Sequence, residues 1–270
     1  MGLFGKLFDK KECSICGGEI GLLGNRKLED GNLCKNCAAK LSPWFDDRRH
    51  STVEQIAAQL EYREANREKV AAFSITRTLG EDTKVLLDED AGQFMVTSSS
   101  RLAEANPDVL SFSDVTGCEL DIDENRVELM RENAEGEEVS YNPPRYVYEY
   151  DFYVTIYVRN PYFDDIRFKL NASDVTVEER KRENAATIRF GGSSLNFAEK
   201  FDPRQSVEYC QYKEMGEEIK AALMQARQEA REEKAAAEAP KVAVMCPFCG
   251  AQTIPTANGC CEYCDGAIGK

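Results

Sequence analysis

The sequence predicts an α+β protein of several domains, with a zinc ribbon plus helix first, a β-rich barrel or sandwich closed by a helix next, and a second zinc ribbon last. Three observations lead to this prediction. Two sets of CxxC pairs lie near the two ends of the chain, β-prone runs separated by turns fill residues 73–190, and residues 205–239 have the composition of one helix. Because no long helix separates the β-prone runs, the pattern favours an antiparallel sheet.

These patterns divide the chain into five consecutive segments. They are an amphipathic tail (1–11), a zinc-ribbon module with a helix (12–72), an antiparallel β domain with a long C-terminal helix (73–239), a linker (240–245) and a C-terminal zinc ribbon (246–270). In the tail, Leu3, Phe4, Leu7 and Phe8 share one side of a short helix. This face predicts packing on the zinc module or, as the alternative, a weak and reversible membrane contact.

Composition and charge narrow the classes of function. The chain has 270 residues, of which 42% are apolar and 30% charged, which is typical of a globular protein. It contains neither an apolar run that could span a membrane nor a secretory cleavage site, so we expect a cytoplasmic protein. In that reducing compartment, the paired cysteines among the 11 of the chain are better explained by metal than by disulfides.

The net charge of −14 is concentrated in the middle of the chain. Residues 73–240 carry 20 basic and 35 acidic side chains, whereas residues 1–72 have a balance of +1 and residues 241–270 a balance of zero. A field of this sign repels phosphate backbones, so we expect a protein partner. Nucleic acid is disfavoured, but the two terminal modules leave it open as an alternative.

Four thiols near the N-terminus define the first predicted metal site. Cys13 and Cys16 form one CxxC pair, and Cys34 and Cys37 form the second. Two such pairs supply the four soft thiolates that a structural Zn²⁺ prefers. Because four thiolates leave no coordination position open, the site predicts a scaffold and not a catalyst.

Local signals predict the structure around these cysteines. A glycine pair after Cys16 suits the tight turn of a metal knuckle, and the intervening segment is typical of a hairpin with turns at Gly24-Asn25 and Asp30-Gly31. The residues Ser51-Thr-Val-Glu54 match a capping box, in which Ser51 caps a helix over 52 to about 71.

Several short motifs of this module occur together in a fixed order: Cys13-Ser-Ile-Cys16-Gly, Gly-Leu-Leu-Gly-Asn-Arg-Lys-Leu-Glu-Asp-Gly at 21–31, Leu33-Cys34-Lys-Asn-Cys37, Leu41-Ser-Pro43 and Ser51-Thr-Val-Glu-Gln55-Ile. Together they resemble the bacterial DUF4428 family, a zinc-ribbon module without an assigned function, over about residues 12–73. The resemblance implies a bacterial cytoplasmic protein with the four cysteines above as metal ligands. It implies no activity, because the family has none assigned.

The middle domain shows alternating apolar residues in its longest predicted strand. The predicted strands are 73–78, 83–87, 93–97, 109–112, 117–122, 126–131, 146–159, 165–171 and 187–190. From Tyr148 to Val158 every second residue is apolar, which a strand with one buried face requires. The strands with their closing helix resemble the pleckstrin-homology-like (PH-like) architecture of bacterial proteins, over residues 73–230. This resemblance implies a sheet edge or barrel end that binds peptides or headgroups, and the acidic charge favours a protein partner.

A second metal site lies at the C-terminal end. Cys246 and Cys249 form one CxxC pair, and Cys261 and Cys264 form the other. Cys260 is the alternative to Cys261, but only Cys261 keeps the two-residue gap to Cys264. The sequence therefore predicts two structural zinc ions as the only cofactors, and a small module that folds around its metal.

Other chemistry-bearing residues do not form a catalytic pattern. Cys118 and Cys210 lie inside a strand and a helix pattern, and we expect packed thiols there. The single histidine, His50, lies in a charged run and is expected to be solvated. We therefore predict that the protein is not an enzyme but a cytoplasmic zinc-binding adaptor. It would display four aromatic side chains to protein partners: Trp44, Phe45, Phe248 and Tyr263. The alternatives are nucleic-acid binding in transcription or stress response, and recruitment to a membrane surface. Packing inside each module is the other interpretation of these aromatic side chains.

Overall fold

The computed structural model describes residues 11–179, 201–237, 243–256 and 258–268 in full, and the backbone of 187–190, 193–196 and 238. The predicted tail at 1–11 lies outside the described residues except for Lys11, and the predicted linker is described only from residue 243. The chain separates into two compact units, Met1–Arg227 and Gln228–Lys270. The five-segment division proposed above stays a prediction.

The N-terminal module consists of short strands and one long helix. Its elements are β1 (Lys11–Glu12), β2 (Glu19–Ile20), β3 (Arg26–Lys27), β4 (Asn32–Leu33), α1 (Lys35–Ala38) and α2 (Val53–Ala72). β1 pairs with β2 and β3 with β4, both antiparallel. Fully buried Leu28, Leu33 and Ile56 centre a small core between the hairpins and the first turns of α2. With Ile20 and Leu41, this core contains five buried aliphatic side chains, which is a small core for a module of this size.

The N-cap residue of helix α2 lies one position after the predicted one. Thr52, not Ser51, is the N-cap residue: its hydroxyl accepts from the Gln55 N–H at 3.3 Å, and the Gln55 side chain accepts from the Thr52 N–H at 2.8 Å. The buried Ser51 instead donates its hydroxyl to the carbonyl of Asp47 at 2.8 Å. Both frames of the sequence match the capping-box pattern, and the tertiary contact of Ser51 selects the second.

The described middle region contains two separate four-stranded sheets. Their strands are β5 (Arg77–Leu79), β6 (Lys84–Asp88), β7 (Gln93–Thr97) and β8 (Leu110–Ser111) in the first, and β9 (Val115–Glu132), β10 (Glu138–Val158), β11 (Asp165–Lys169) and β12 (Val175–Glu178) in the second. A short helix, α3 (Leu102–Ala105), lies between β7 and β8. The first sheet has the order β5-β6-β7-β8; in the second, β10 pairs with β9, β11 and β12.

The strand predictions differ from the structure mainly in the second sheet. Two runs predicted as separate strands, at 117–122 and 126–131, form the single strand β9, so the residues between them, 123–125, are extended and do not form a turn. β10 begins at Glu138, eight residues before its predicted start, and its register with β9 shifts between Ser140 and Arg145. Pairing between two long neighbouring strands overrides the low β-propensity of these polar residues.

Helix α4 (Val207–Glu238) packs on the apolar face of the second sheet. The Tyr209 ring lies against the rings of Tyr150 and Phe152, with centroids 4.8 and 5.2 Å apart, and Ile219 is fully buried. Val207, the first residue of the helix, is 76% exposed. The helix therefore covers part of one face of the second sheet.

The predicted mixed architecture, with a β-rich middle region followed by a long helix, is confirmed. The described strands do not close into a barrel. The first sheet ends at β8 and the second begins at β9, and hydrogen-bonded pairing does not join the two sheets within the described residues. The remaining backbone strands, β13 (Thr187–Phe190) and β14 (Ser193–Asn196), pair only with each other. The likeness to PH-like domains stays a prediction.

A buried polar network joins the N-terminal module to the first sheet. Arg63 of α2 donates to the Asp108 carboxylate at 2.7 Å, and Ser42 donates to the other Asp108 oxygen at 2.7 Å. Asn66 donates to the carbonyl of Pro107 at 2.8 Å and accepts from the Val109 N–H at 3.0 Å. The network therefore fixes the metal-bearing module relative to the loop before β8.

Among the described residues, no helix combines the length and the apolar character needed to cross a membrane.

Candidate metal centres

The first centre is made of the four N-terminal cysteines that the sequence singled out. Their sulfur atoms all lie within 4.8 Å of one another, and the Sγ atoms of Cys16 and Cys34 are 3.8 Å apart. Cys13 and Cys37 are buried, whereas Cys16 is exposed. The centre therefore lies at the surface of the module, with its inner two sulfurs in the core.

Backbone N–H groups point at the sulfurs of this centre. The Cys34 N–H donates to the Cys13 sulfur at 3.3 Å, and the Cys37 N–H donates to the Cys34 sulfur at 3.3 Å. The second contact also caps the N-terminus of α1, so the Cys34 side chain is both the helix cap and one of the four candidate ligands. Donors of this kind stabilise thiolates, which are the form of cysteine that binds metal.

The second centre lies in the C-terminal unit. The sulfurs of Cys246, Cys249, Cys261 and Cys264 also lie within 4.8 Å of one another. The Cys246 and Cys264 sulfurs are 3.5 Å apart, and those of Cys249 and Cys261 are 3.7 Å apart. Of the two neighbouring cysteines, Cys261 lies within this cluster of four sulfurs and Cys260 lies outside it.

Three of the four CxxC pairs have the same backbone turn. The N–H of the first cysteine donates to the carbonyl five residues later in the pairs that begin at Cys13, Cys246 and Cys261, at 2.8 to 2.9 Å. The fourth residue after the first cysteine has a positive φ in each: Gly17 at 69°, Gly250 at 71° and Asp265 at 55°. The pair at Cys34 differs because it opens helix α1.

Replacing Gly17 by alanine is expected to destabilise the first module by about 1 kcal/mol. A Cβ at Gly17 would meet no atom within 4 Å, so the cost comes only from the positive φ. Gly21→Ala is the matched control, since that Cβ also meets nothing within 4 Å and Gly21 has no positive φ. Urea unfolding followed by the fluorescence of Trp44, the single tryptophan, measures both. Equal loss in the two variants would contradict the proposed turn strain.

Proton affinities differ sharply within the first centre. Burial raises the pKa of Cys13, but the N–H groups of Cys16, Cys34 and Ile15 stabilise the thiolate, and the net effect lowers the pKa to about 6. Burial raises the pKa of Cys37, and its hydrogen bonds with the other thiols and the nearby Cys13 charge raise it further. One thiol ionises readily, and the accumulation of negative charge opposes ionisation of another.

The second centre repeats this division. Burial raises the pKa of Cys246, but N–H groups of Cys249 and Phe248 lower it to about 6 overall. The Gly266 N–H lowers the pKa of Cys264, but hydrogen bonds with the other three thiols raise it to about 12 overall. A cation among the four sulfurs would remove the repulsion that opposes further ionisation, so each group can hold a metal ion.

The other sulfur- and nitrogen-bearing residues lie apart from these centres. Cys118 is buried, and its burial raises its pKa to about 12, so it is a packed thiol. Cys210 is half-buried and contacts the carbonyl of Arg204 at 3.6 Å. His50 is exposed, with its Nδ1 2.6 Å from the Asp47 carboxylate.

The exposed apolar side chains differ from the predicted set in the first module. Trp44 and Phe45 are half-buried, and Phe45 packs on the module core. Leu22 and Leu23, in the turn between β2 and β3, are instead 80% and 90% exposed. Sequence reasoning missed them because leucines in a hairpin are usually core residues; the flanking glycines at 21 and 24 were the available signal of a turn.

Two short strands hold the second centre, β15 (Val244–Met245) and β16 (Gln252–Thr253), which pair antiparallel. In this module Phe248 and Tyr263 are exposed, at 68% and 70%, and both lie inside a CxxC pair. Met245, directly before the first ligand, is 74% exposed. Each knuckle of the second centre therefore carries an aromatic ring at its surface.

Comparison with known proteins gives one result, and it concerns the first centre. No curated protein and no solved structure matches the chain. The resemblance inferred from the motifs around the first four cysteines is confirmed: residues 11–59 match the family model described as "Domain of unknown function (DUF4428)".

Proposed function

We propose that this protein is a non-catalytic zinc-binding adaptor, in which two metal modules hold apolar side chains at the surface for contact with a protein partner. The observation that carries the proposal is the position of Phe248 and Tyr263, each exposed by more than two thirds inside a metal knuckle. Large apolar side chains at the surface of a small rigid module are typical of interaction sites.

The donor set favours zinc as the metal. Two sulfurs on a tetrahedral ion with bonds of about 2.3 Å would be about 3.8 Å apart. The closest sulfur pairs in the two centres are 3.8, 3.5 and 3.7 Å apart. Four thiolates suit Zn²⁺ and leave no site for a water or a substrate, so a structural role is favoured over catalysis.

The surface around the second centre favours a partner with apolar and basic groups. Phe248 rests on Gly266, where an added Cβ would lie 2.6 Å from the ring. The only charged side chains in the described part of this unit after residue 243 are Glu262 and Asp265, which flank Tyr263 and Cys264. An apolar surface edged by carboxylates is complementary to a segment that combines aliphatic or aromatic residues with lysine or arginine.

The experiment is a site-specific cross-link in the native cell. A photoreactive phenylalanine analogue at position 263 is expected to give one discrete adduct with another protein, whereas the same analogue at exposed Ala236 of helix α4 gives none. Phe248→Ser in the position-263 protein should remove the adduct while two zinc ions per chain remain. Adducts of equal yield at both positions, or none at position 263, would refute the adaptor role of this ribbon. An adduct with nucleic acid would assign the ribbon to the nucleic-acid class.

A further inference from the structure

A concavity of about 810 Å³ on the N-terminal module is lined mainly by cations. Its charged lining is Arg26 and Lys27 of β3, Arg48 and Arg49 of the short 3₁₀ turn at 47–50, and Glu29. Two segments far apart in sequence thus contribute four positive charges and one negative charge to one surface depression.

Contacts within the module hold part of this cluster in place. The half-buried Arg48 donates through Nη1 to the carbonyl of Lys27 at 2.8 Å, which fixes its guanidinium over β3. Arg26 is also half-buried and makes only long contacts, at 3.4 and 3.5 Å, with backbone carbonyls of its own turn. Most of the guanidinium donors therefore remain available for an incoming acceptor.

In the described part of the chain, these four cations have no carboxylate partner. Within the described residues, none of Arg26, Lys27, Arg48 and Arg49 forms an ion pair or lies over an aromatic ring. Six arginines elsewhere are paired with an acid: Arg63, Arg67, Arg77, Arg101, Arg167 and Arg204. In a chain of net charge −14, an unpaired cluster of this sign is a local exception.

Of the nearby acids, Glu29 lines the concavity, whereas Asp46 and Asp47 act on other groups. The Asp47 carboxylate contacts His50 at 2.6 Å, and Asp46 acts on Asp165, whose pKa is raised by burial, by Asp164 and by Asp46. Burial lowers the pKa of Arg48, and the charges of Arg26 and Arg49 lower it further. The cations of the concavity thus repel one another, and an anion between them would relieve that repulsion.

We propose that this concavity binds the phosphate group of a compact phosphorylated ligand, held between Arg26, Arg48 and Arg49. Guanidinium forks from two segments match the several oxygens of a phosphate better than a single carboxylate. A compact ligand fits better than a nucleic-acid backbone, because residues 11–59 carry seven acidic side chains against seven basic ones and the whole chain repels an extended polyanion. The site is independent of the apolar ribbon surface proposed above.

The test is an NMR titration of the zinc-loaded, full-length protein with inorganic phosphate at constant ionic strength. Saturable shifts are expected at the backbone and side-chain N–H groups of Arg26, Arg48 and Arg49, with a dissociation constant of about 1 mM, as a few charge-assisted hydrogen bonds would give. Absence of saturable shifts up to about 20 mM phosphate, well above that constant, would overturn the proposal.

A pair of double variants separates a site from general electrostatics. Arg26→Gln/Arg49→Gln is expected to weaken phosphate binding about tenfold or more, since two charge-assisted donors are lost. Lys35→Gln/Lys40→Gln removes the same charge from the same module outside the concavity, and binding should remain unchanged. If both double variants lost phosphate affinity equally, the loss would be explained by net charge alone, and the proposed site would be refuted. Trp44 fluorescence and zinc content verify that both variants are folded.

Two further ligands identify the source of the phosphate. A phosphoserine peptide that binds more tightly than inorganic phosphate, with its unphosphorylated form inactive, assigns the site to a phosphorylated protein. Equal affinity of peptide and free phosphate assigns it to a small phosphate ligand; both results support the proposal. A single-stranded oligonucleotide that binds more tightly than either, with a steep salt dependence lost in Arg26→Gln/Arg49→Gln, would overturn it in favour of nucleic acid.

Discussion

Replacing Cys246 and Cys249 by serine is expected to unfold residues 243–268 and to leave one bound metal ion per chain instead of two. The reason is the absence of another core in this module. In its described part the buried residues are Cys246, Thr253, Gly259 and Cys261, and all large apolar side chains except the half-buried Ile268 are exposed. A structural zinc ion contributes about 10 kcal/mol or more of folding free energy, far more than these side chains can supply.

Native mass spectrometry of the intact chain measures the metal count, and amide hydrogen exchange measures the unfolding. Loss of protection is expected at the Gly250 and Asp265 N–H groups, which donate to Cys246 and Cys261 in the native turns. Cys260→Ser is the matched control, because Cys260 is the neighbour of a ligand but lies outside the cluster; it should retain both ions. Retention of two ions by the double variant would show that the predicted ligands are wrong.

Arg63→Met is expected to destabilise the N-terminal module by about 3–5 kcal/mol, the usual result of leaving a buried charge without its partner. The Asp108 side chain is fully buried and that of Arg63 is 6% exposed. Burial raises the pKa of Asp108, while Arg63 and the Ser42 hydroxyl stabilise its ionised form. Without Arg63, the carboxylate must be buried uncompensated or take up a proton.

Urea unfolding of the zinc-loaded protein, followed by Trp44 fluorescence, measures this loss of stability. Trp44 reports on the network because its backbone N–H donates to the Ser42 hydroxyl at 3.2 Å. Arg67→Met is the matched control: Arg67 lies one turn along α2 and pairs with Glu64 at 3.0 Å, but both side chains are exposed. Its loss should be below about 1 kcal/mol. The double variant Arg63→Met/Asp108→Leu should recover part of the stability; a double variant as unstable as the sum of the single ones would contradict the buried-charge explanation.

The sequence alone identified both metal centres. The spacing of the eight paired cysteines, and the choice of Cys261 over Cys260, required only the two-residue gap that lets two sulfurs approach one ion. The turn glycines and the family motifs lie in the same short segments. Such local signals are reliable because a knuckle is closed by its own backbone within six residues, as the Cys13 N–H to Gly18 carbonyl bond shows.

The sequence was less informative about the middle of the chain. The alternation from Tyr148 to Val158 correctly identified the buried face of β10, yet the polar residues Asp123 to Asn125 were assigned to a turn and belong to β9. A strand partner decides such a case, since backbone pairing with Glu149 to Asp151 holds these residues extended whatever their propensity. Sheet closure likewise depends on pairing between distant strands, so the local pattern left a barrel and a sandwich open, and the described strands do not close into a barrel.

The amino-acid sequence by itself therefore determined the two groups of four cysteines that could each hold a metal ion, with the turns that direct them. Only the tertiary structure decided which surfaces the metal modules present. It buried part of Trp44 and Phe45, exposed Leu22 and Leu23, paired Arg63 with Asp108, and brought Arg26 next to Arg48. The spacing of the cysteines is a property of a few consecutive residues. Exposure and charge pairing depend instead on contacts between chain segments tens of residues apart, and the local sequence pattern does not show which segments come together.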